Sequence, residues 1–195
     1  MSGGFIVVLA ILAFAAVTIF KGVRIVPQGY KWIVQRLGKY HTTLNPGLNF
    51  VIPYVDEVAY KVTTKDIVLD IPSQEVITRD NAVLLMNAVA YINITTPVNA
   101  VYGIENYTWA IQNLVQTSLR SIVGEMDLDD ALSSRDHIKA KLKAAISDDI
   151  SDWGITLKTV EIQDIQPSST MQAAMEAQAA AERQRRATVT KADGE

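Results

Sequence analysis

The sequence contains no cysteine among its 195 residues. This absence excludes a disulfide framework, a thiolate metal site, a cysteine nucleophile and an S-palmitoyl anchor. Histidine is nearly absent too: His41 and His137 are the only two, and no partner constellation accompanies either. We therefore expect both histidines to be surface residues and not bases or metal ligands.

Motifs of enzyme active sites are also absent. The sequence has no Gly-x-Ser-x-Gly, no His-Glu-x-x-His and no Gly-rich loop that would cradle a phosphate. The acidic cluster of Asp127, Asp129 and Asp130 lacks the glycine and terminal glutamate of a calcium loop, and more plausibly begins a short helix near Ala131. These absences predict a protein that is not an enzyme and that uses no cofactor or metal.

Acidic residues are missing from the first 55 positions, which carry Lys21, Arg24, Lys31, Arg36 and Lys39. The remaining 13 basic and all 21 acidic residues follow, so the rest of the chain has a net charge of about −8. A basic stretch beside an apolar run suits anionic lipid headgroups. Basic residues are not interleaved with aromatic ones as in nucleic-acid readers, so no nucleic-acid partner is expected. The alternative is that this charge only reflects loop composition.

Polar residues are nearly absent from positions 5–20, where Thr18 is the single exception. With Gly3 and Gly4 the run reaches 18 positions, near the lower limit of about 20 residues for a spanning helix. A cleaved signal peptide needs a basic region before the run, and a core helix needs a polar face; neither is present. We predict an uncleaved membrane anchor over residues 1–24. Its membrane-contacting residues are Phe5, Ile6, Val7, Val8, Leu9, Ile11, Leu12, Phe14, Ile19 and Phe20.

The basic residues near the apolar run all lie on its C-terminal side. Because positively charged flanks stay in the cytoplasm, a single-pass anchor would leave the bulk of the chain there and place the N-terminus outside.

Residues 25–95 show strand patterns and form a first, mainly β subdomain. Alternation predicts strands over 30–38, 60–64, 67–71, 75–78 and 83–94, with turns at 45–47 and 79–81. Pro72 ends its strand or marks a sheet edge. Between the turn and Pro53 lies a short apolar segment. The residues predicted to contact the membrane surface are Leu48, Phe50 and Ile52 of this segment, Tyr54 directly after Pro53, and Lys21 and Arg24 at the end of the anchor. Burial of the apolar ones in a core strand is the alternative.

Residues 96–167 change to a helical period and form a second subdomain. Pro97 opens the helical region, Gly124 stops a helix, and Ser134 caps the next one. That helix is predicted to present one face made of Ile138, Leu142, Ala145, Ile146, Asp149 and Trp153. Gly154 ends it, and a strand follows over 155–165.

Glycine and proline are absent from positions 170–192, which are rich in Ala, Gln, Glu and Arg. Such a segment favours a helix but has no stripe wide enough to bury alone, so we expect a coiled coil over 168–195 that continues in a longer protein. Its predicted self-association residues are Met171, Ala174, Gln178, Ala181, Glu182 and Arg185. A solvated single helix is the alternative.

Eight segments, in order, resemble the stomatin/prohibitin/flotillin superfamily, known as SPFH or band 7, in its stomatin/paraslipin branch. They are PGLNFVIP at 46–53, DIPSQEVITRDN at 70–81, YGIENY at 102–107, TSLRS at 117–121, GEM at 124–126, LSSRD at 132–136, WGI at 153–155 and VEIQDI at 160–165. The resemblance spans about residues 22–182.

The resemblance implies an α+β fold with an N-terminal anchor or hairpin, two subdomains and a long C-terminal helix. It implies a scaffold in a bacterial inner membrane that assembles into large homo-oligomeric rings or cages delimiting membrane microdomains. Expected partners are membrane lipids, further copies of the chain, and a membrane AAA+ protease or an NfeD-type membrane protein. The alternative is a small-oligomer adaptor that regulates a membrane protease or channel without building a cage.

Overall fold

A long apolar helix opens the chain and a long polar helix closes its described part, with the α+β elements between them in sequence. The computed structural model describes residues 2–192. Met1 and residues 193–195, which belong to the predicted anchor and coiled-coil segments, lie outside the described residues. The elements are α1 (Ser2–Gly22), β1 (Val23–Val26), β2 (Tyr30–Arg36), β3 (Lys39–Leu44), β4 (Gly47–Phe50), β5 (Asp56–Thr63), β6 (Asp66–Ile77), β7 (Val83–Ile94), α2 (Pro97–Tyr102), α3 (Tyr107–Gly124), α4 (Leu128–Ser133), α5 (Arg135–Asp152), β8 (Ile155–Pro167) and α6 (Ser169–Ala192). This order confirms the α+β class.

Two compact units divide these elements. The first contains the described residues up to Ile67, together with Asn93–Tyr107 and Ile150–Thr156. The second contains Val68–Ile92, Thr108–Asp149 and the described residues from Leu157 onward. The proposed subdomain boundaries at residues 24, 95 and 167 stay a prediction.

The first unit holds two small sheets. One is the antiparallel pair of β1 and β4, and the other has the strand order β3-β2-β5. Val26, Val34, Leu44 and Val51 form its buried apolar cluster. Because Val26 comes from β1 and Val51 from the segment after β4, this cluster fixes the ribbon to the larger sheet.

A turn with a left-handed residue closes the helical part of this unit. Gly154 follows α5 with φ +68°, and a Cβ there would clash with the Thr96 carbonyl oxygen. The Gly154 carbonyl accepts the backbone N–H groups of Thr95 and Thr96, each at 2.9 Å. Glycine is required at this position for both reasons, as predicted for a C-terminal cap.

The second unit is built on the sheet β6-β7-β8. Thr78–Ala82 joins β6 to β7, with Asn81 at φ +65°, which confirms the predicted hairpin turn. β6 runs through Pro72 and is an edge strand, so of the two readings of this proline the sheet edge is correct. Side chains of α3 reach β6, since Gln112 donates to the Asp70 carbonyl at 2.8 Å.

The buried face of α5 differs in part from the predicted one. Ile138, Leu142, Ile146 and Ile150 are fully buried, whereas Ala145 and Asp149 are exposed and Trp153 is half-buried. The buried residues recur every four positions. The prediction instead took a spacing of three residues from Leu142 to Ala145, which led to the exposed Asp149. Lys139 and Lys143 flank the stripe and pair with Glu161 and the Lys158 carbonyl of β8. The isoleucine and leucine side chains therefore define the buried face, and the exposed lysines beside it contact β8.

Candidate membrane-contacting site

Helix α1 has the length and composition of a membrane span. At about 1.5 Å per residue, its 21 residues reach roughly 31 Å, the thickness of a hydrocarbon core. Residues Gly4–Gly22 include an 18-residue apolar window, none of which is buried inside the protein. Thr18, the single polar residue of the run, donates its hydroxyl to the Phe14 carbonyl at 2.8 Å. That bond satisfies the hydroxyl within the helix, as an apolar surrounding requires.

The helix passes directly into the first strand of the domain. α1 ends at Gly22 and β1 begins at Val23. The Val51 N–H donates to the Gly22 carbonyl at 2.8 Å. A Cβ on Gly22 would lie 2.7 Å from the Val51 carbonyl oxygen, so only glycine lets the two backbones approach this closely.

The ribbon of β1 and β4 presents apolar side chains to solvent. Its register pairs Val23 with Phe50 and Ile25 with Leu48, which places these four residues on one face. Ile25, Leu48 and Phe50 are 70%, 63% and 68% exposed. Two-stranded ribbons normally bury such a face, so this surface needs an apolar neighbour.

The loop that follows β4 continues this apolar surface. Ile52 and Tyr54 are exposed, whereas Val51 between the ribbon and the loop is buried in the cluster described above. The Lys21 ammonium lies 5.6 Å from the centroid of the Tyr54 ring, within cation–π range. Tyrosine and lysine side chains at the end of an apolar helix typically lie at the depth of the lipid headgroups.

An ion pair holds this loop in place. Arg36 of β2 donates from Nε and Nη2 to the Asp56 carboxylate at 2.7 and 3.1 Å. The same carboxylate accepts the Ile52 backbone N–H at 2.8 Å, and its side chain is only 3% exposed. The hydrogen bond from Arg36 is the main cause that lowers the pKa of Asp56 to about 2, with the Ile52 bond adding to it. Asp56 therefore stays ionised and fixes the start of the apolar loop.

The structure brings five of the six predicted surface-contact residues to one region. Lys21, Leu48, Phe50, Ile52 and Tyr54 lie on the helix end, the apolar ribbon and the loop after it. Arg24 pairs with Asn49. Because alternate residues of a strand face opposite sides, Arg24 lies on the other face of the ribbon from Val23 and Ile25.

Sequence reasoning missed the strand β1 and with it Ile25, and it missed the Arg36–Asp56 pair. The alternation of Val23 and Ile25 was a signal for the strand. Arg36 and Asp56 are 20 positions apart, and the alternation of residues along the strands does not indicate that they pair.

The predicted self-association residues lie on α6, which confirms the helix but not its pairing. Ala174, Gln178 and Ala181 are exposed and Met171 is half-buried. Arg185 and Arg186 donate to the Glu182 carboxylate at 3.3 and 3.2 Å along the same helix. These charges are thus paired within one helix here.

Side chains suited to catalysis or metal binding are sparse on the described surface. His41 on β3 and His137 in the first turn of α5 are both exposed. Within residues 2–192, no group of three or more His, Asp or Glu side chains is placed to hold a metal ion.

Comparison with known proteins gives one family. Residues 24–195 match the model of the SPFH domain / Band 7 family. A stomatin homolog of Pyrococcus abyssi is 40% identical over 191 residues, which are 98% of this chain and 71% of that protein. Human stomatin-like protein 2, mitochondrial, is 38% identical over 169 residues, 87% of this chain and 48% of that protein.

A third relative is an uncharacterized protein of Mycobacterium tuberculosis, 36% identical over 191 residues, 98% of this chain and 50% of that protein. The chain thus spans about half the length of the first curated relatives that it matches.

Proposed function

Because the chain belongs to the SPFH domain / Band 7 family, we propose that it is a membrane-anchored, non-enzymatic scaffold that assembles with copies of itself on a bilayer. In this proposal α1 crosses a bacterial inner membrane with its N-terminus outside, and the rest of the chain is cytoplasmic. The assemblies are large rings or cages that delimit membrane microdomains.

The continuous apolar surface of α1, the ribbon face and the loop after β4 carries this proposal. The spanning helix alone would anchor the chain. The ribbon and loop add Ile25, Leu48, Phe50 and Ile52, which lie at the helix end and are exposed. Burying three or four such side chains in the interface would contribute roughly 1.5–3 kcal/mol each. We propose that this contact holds the first unit against the bilayer.

Helix α6 supports self-assembly. It runs for 24 residues with exposed alanines, which allow close approach of a second helix but contribute little apolar area. One pair of such helices would bind weakly, whereas a closed ring repeats the contact with every neighbour. Because the contact is repeated around the ring, contacts that are weak one by one are enough to hold the ring together.

The partner proteins of such a scaffold are proposed from the family resemblance alone. We propose a membrane AAA+ protease or an NfeD-type membrane protein as a partner. The alternative function is a small-oligomer adaptor that regulates a membrane protease or channel without forming a cage. Particle size separates the two functions.

The test of self-assembly compares the full chain with a chain ended after Pro167, both solubilised in mild detergent. We expect large closed particles from the full chain, and folded units that form no large particles from the shortened one. Mass photometry and negative-stain images give the sizes, and circular dichroism checks the fold of the shortened chain. Large particles that persist after the truncation would place the assembly contact in the α+β units. Small particles from the full chain would favour the adaptor.

A further inference from the structure

The hairpin of β2 and β3 turns through two residues with a left-handed backbone. Arg36 pairs with Lys39, and the two residues between them, Leu37 and Gly38, have φ +51° and +79°. We call these two residues the hairpin tip. Positive φ at both central positions is the requirement of a type I′ turn, whose first central position normally holds Asn, Asp or Gly. Leucine is strained there, because its side chain crowds the backbone at positive φ.

Leu37 gains little packing in return for this strain. Its side chain is 86% exposed, the largest fraction among the large apolar side chains described in residues 2–192. Tyr54 shows the same combination, with φ +73° and a side chain that is 69% exposed. The third described non-glycine residue with positive φ is Asn81, a residue type that tolerates this conformation. Strain at exposed apolar residues is typical of a site where function requires the side chain.

Two contacts place the hairpin tip beside the end of α1. The Leu37 N–H donates to the Val55 carbonyl at 3.4 Å, and Val55 directly follows Tyr54. The Tyr54 ring in turn lies 5.6 Å from the Lys21 ammonium in the last turn of α1. Lys21 and Lys39 are both exposed, and no acidic residue precedes position 56. Cations next to exposed apolar side chains are complementary to an anionic lipid surface.

We infer that the hairpin tip is a further point of membrane contact, at which Leu37 enters the interface of an anionic bilayer beside Tyr54. The inference rests on the proposed anchoring by α1 and deepens it with a contact that the ribbon of β1 and β4 does not supply. Asparagine would make the better type I′ turn at position 37 but would not enter an apolar layer. Stability and membrane contact therefore favour different residues at this position.

Fluorescence quenching by lipids tests this contact in the full chain. Because the chain has no cysteine, Leu37→Cys carries a single nitrobenzoxadiazole label. The labelled chain is reconstituted into phosphatidylcholine and phosphatidylglycerol vesicles that contain a lipid with a nitroxide near the top of its acyl chain. We expect strong quenching at position 37.

Lys65→Cys with the same label is the matched control. Lys65 is exposed and follows the far end of β5, roughly 23 Å along the strand from the Asp56 end that lies beside the hairpin tip. Quenching there should be several-fold weaker than at position 37. Equal quenching at the two positions would overturn the contact.

Leu37→Asn separates membrane contact from a structural role. With the label moved to Lys39→Cys, this variant should lower the quenching, because the loss of one inserted leucine reduces the ratio of inserted to withdrawn tip about tenfold. Leu37→Met keeps both the apolar side chain and the strain, so the quenching should stay. In thermal melts in detergent, Leu37→Asn should raise the melting temperature by roughly 2–4 °C. Unchanged quenching in Leu37→Asn, or a lower melting temperature, would show that Leu37 serves the fold and not the membrane.

A label on α1 separates this inference from the proposed function. Ala10 lies in the apolar window of the helix, so a label on Ala10→Cys should be quenched by a nitroxide near the end of the acyl chain. Absence of that quenching contradicts the membrane anchoring itself. Quenching at position 10 without quenching at position 37 contradicts only the contact of the hairpin tip.

Discussion

Asp56 links the sheet of the first unit to the apolar loop. It is the first acidic residue of the chain, and it receives two bonds from Arg36 and one from the Ile52 backbone. A mostly buried carboxylate with three donors is held in one position. The residue therefore matters for stability and for the direction in which the loop points.

Replacing Asp56 with Asn should weaken the fold in a pH-dependent way. The pKa of Asp56 is lowered from 3.8 to about 2 in the folded protein, so its ionised form stabilises the fold above about pH 4. That contribution is lost as the pH falls from about 4 through 2, because the carboxylate becomes protonated first in the unfolded state and then, below about pH 2, in the folded state as well. We expect Asp56→Asn to lower the melting temperature at pH 7 by roughly 3–8 °C.

The difference between the two proteins should shrink as the pH falls from 4 to 2, as measured by thermal melts in detergent. Asp70→Asn, which changes an exposed carboxylate on β6, serves as the control and should show little effect. A difference that is the same at pH 7 and pH 2 would mean that the charge of Asp56 is not what stabilises the loop.

Phe50 tests whether the ribbon face touches the bilayer. In a chain that starts at Gly22, Phe50→Glu should lower the partitioning onto vesicles by roughly 10- to 100-fold, because one aromatic side chain no longer enters the interface. Vesicle flotation measures the bound fraction. Val68→Glu is the matched control, since Val68 is 58% exposed but lies on β6. If Phe50→Glu instead unfolds the protein, Phe50 is a core residue and the surface assignment is wrong.

At the scale of elements, α5 shows how the apolar size of side chains decides the buried face of a helix. Its sequence offers two overlapping stripes, one through Ile146 and Ile150 and one through Ala145 and Asp149. Ile146 and Ile150 bury more apolar surface than Ala145 and Asp149 could, so the first stripe faces inward. Lys139 and Lys143 bond to the neighbouring strand β8 from exposed positions. Period alone does not decide between stripes that share Ile138 and Leu142.

Two substitutions on α5 separate the stripes. Leu142→Ala should lower the free energy of unfolding by about 2–5 kcal/mol, since it leaves a cavity at a fully buried position. Ala145→Lys should change it by no more than about 0.5 kcal/mol, because Ala145 is exposed. Urea denaturation gives both values. A large loss of unfolding free energy in Ala145→Lys would mean that Ala145 is a core residue.

At the scale of the whole molecule, we expect the placement of charge to set the topology. The first 55 residues carry five basic and no acidic side chains. Lys21 lies in the last turn of α1, and the other four follow that helix. We therefore expect protease added to sealed inverted membrane vesicles to digest the chain, and intact spheroplasts to protect it. Immunoblotting against the α+β units reads the result. Protection in the inverted vesicles with digestion in spheroplasts would reverse the orientation.

Much of the fold follows from local patterns, and the rest depends on distant contacts. The apolar run, the turn at Asn81, the proline that opens α2 and Gly154 were all predictable, because each rests on the chemistry of a few adjacent residues. The strand β1 has only four residues and is defined by its partner β4. The Arg36–Asp56 pair likewise joins distant positions, which periodicity does not describe.

The junction at Gly22 has a mechanical consequence. No flexible linker separates α1 from β1, and the Gly22 carbonyl is tied to the Val51 N–H, so the helix and the ribbon turn together as a lever. A spanning helix answers a thinner bilayer by tilting, at a cost of only fractions of a kcal/mol per ångström of mismatch. If α1 spans the bilayer as proposed, we expect each change of tilt to rotate the ribbon by a similar angle. The local thickness of the membrane would then set the orientation of the β1–β4 ribbon relative to the bilayer surface.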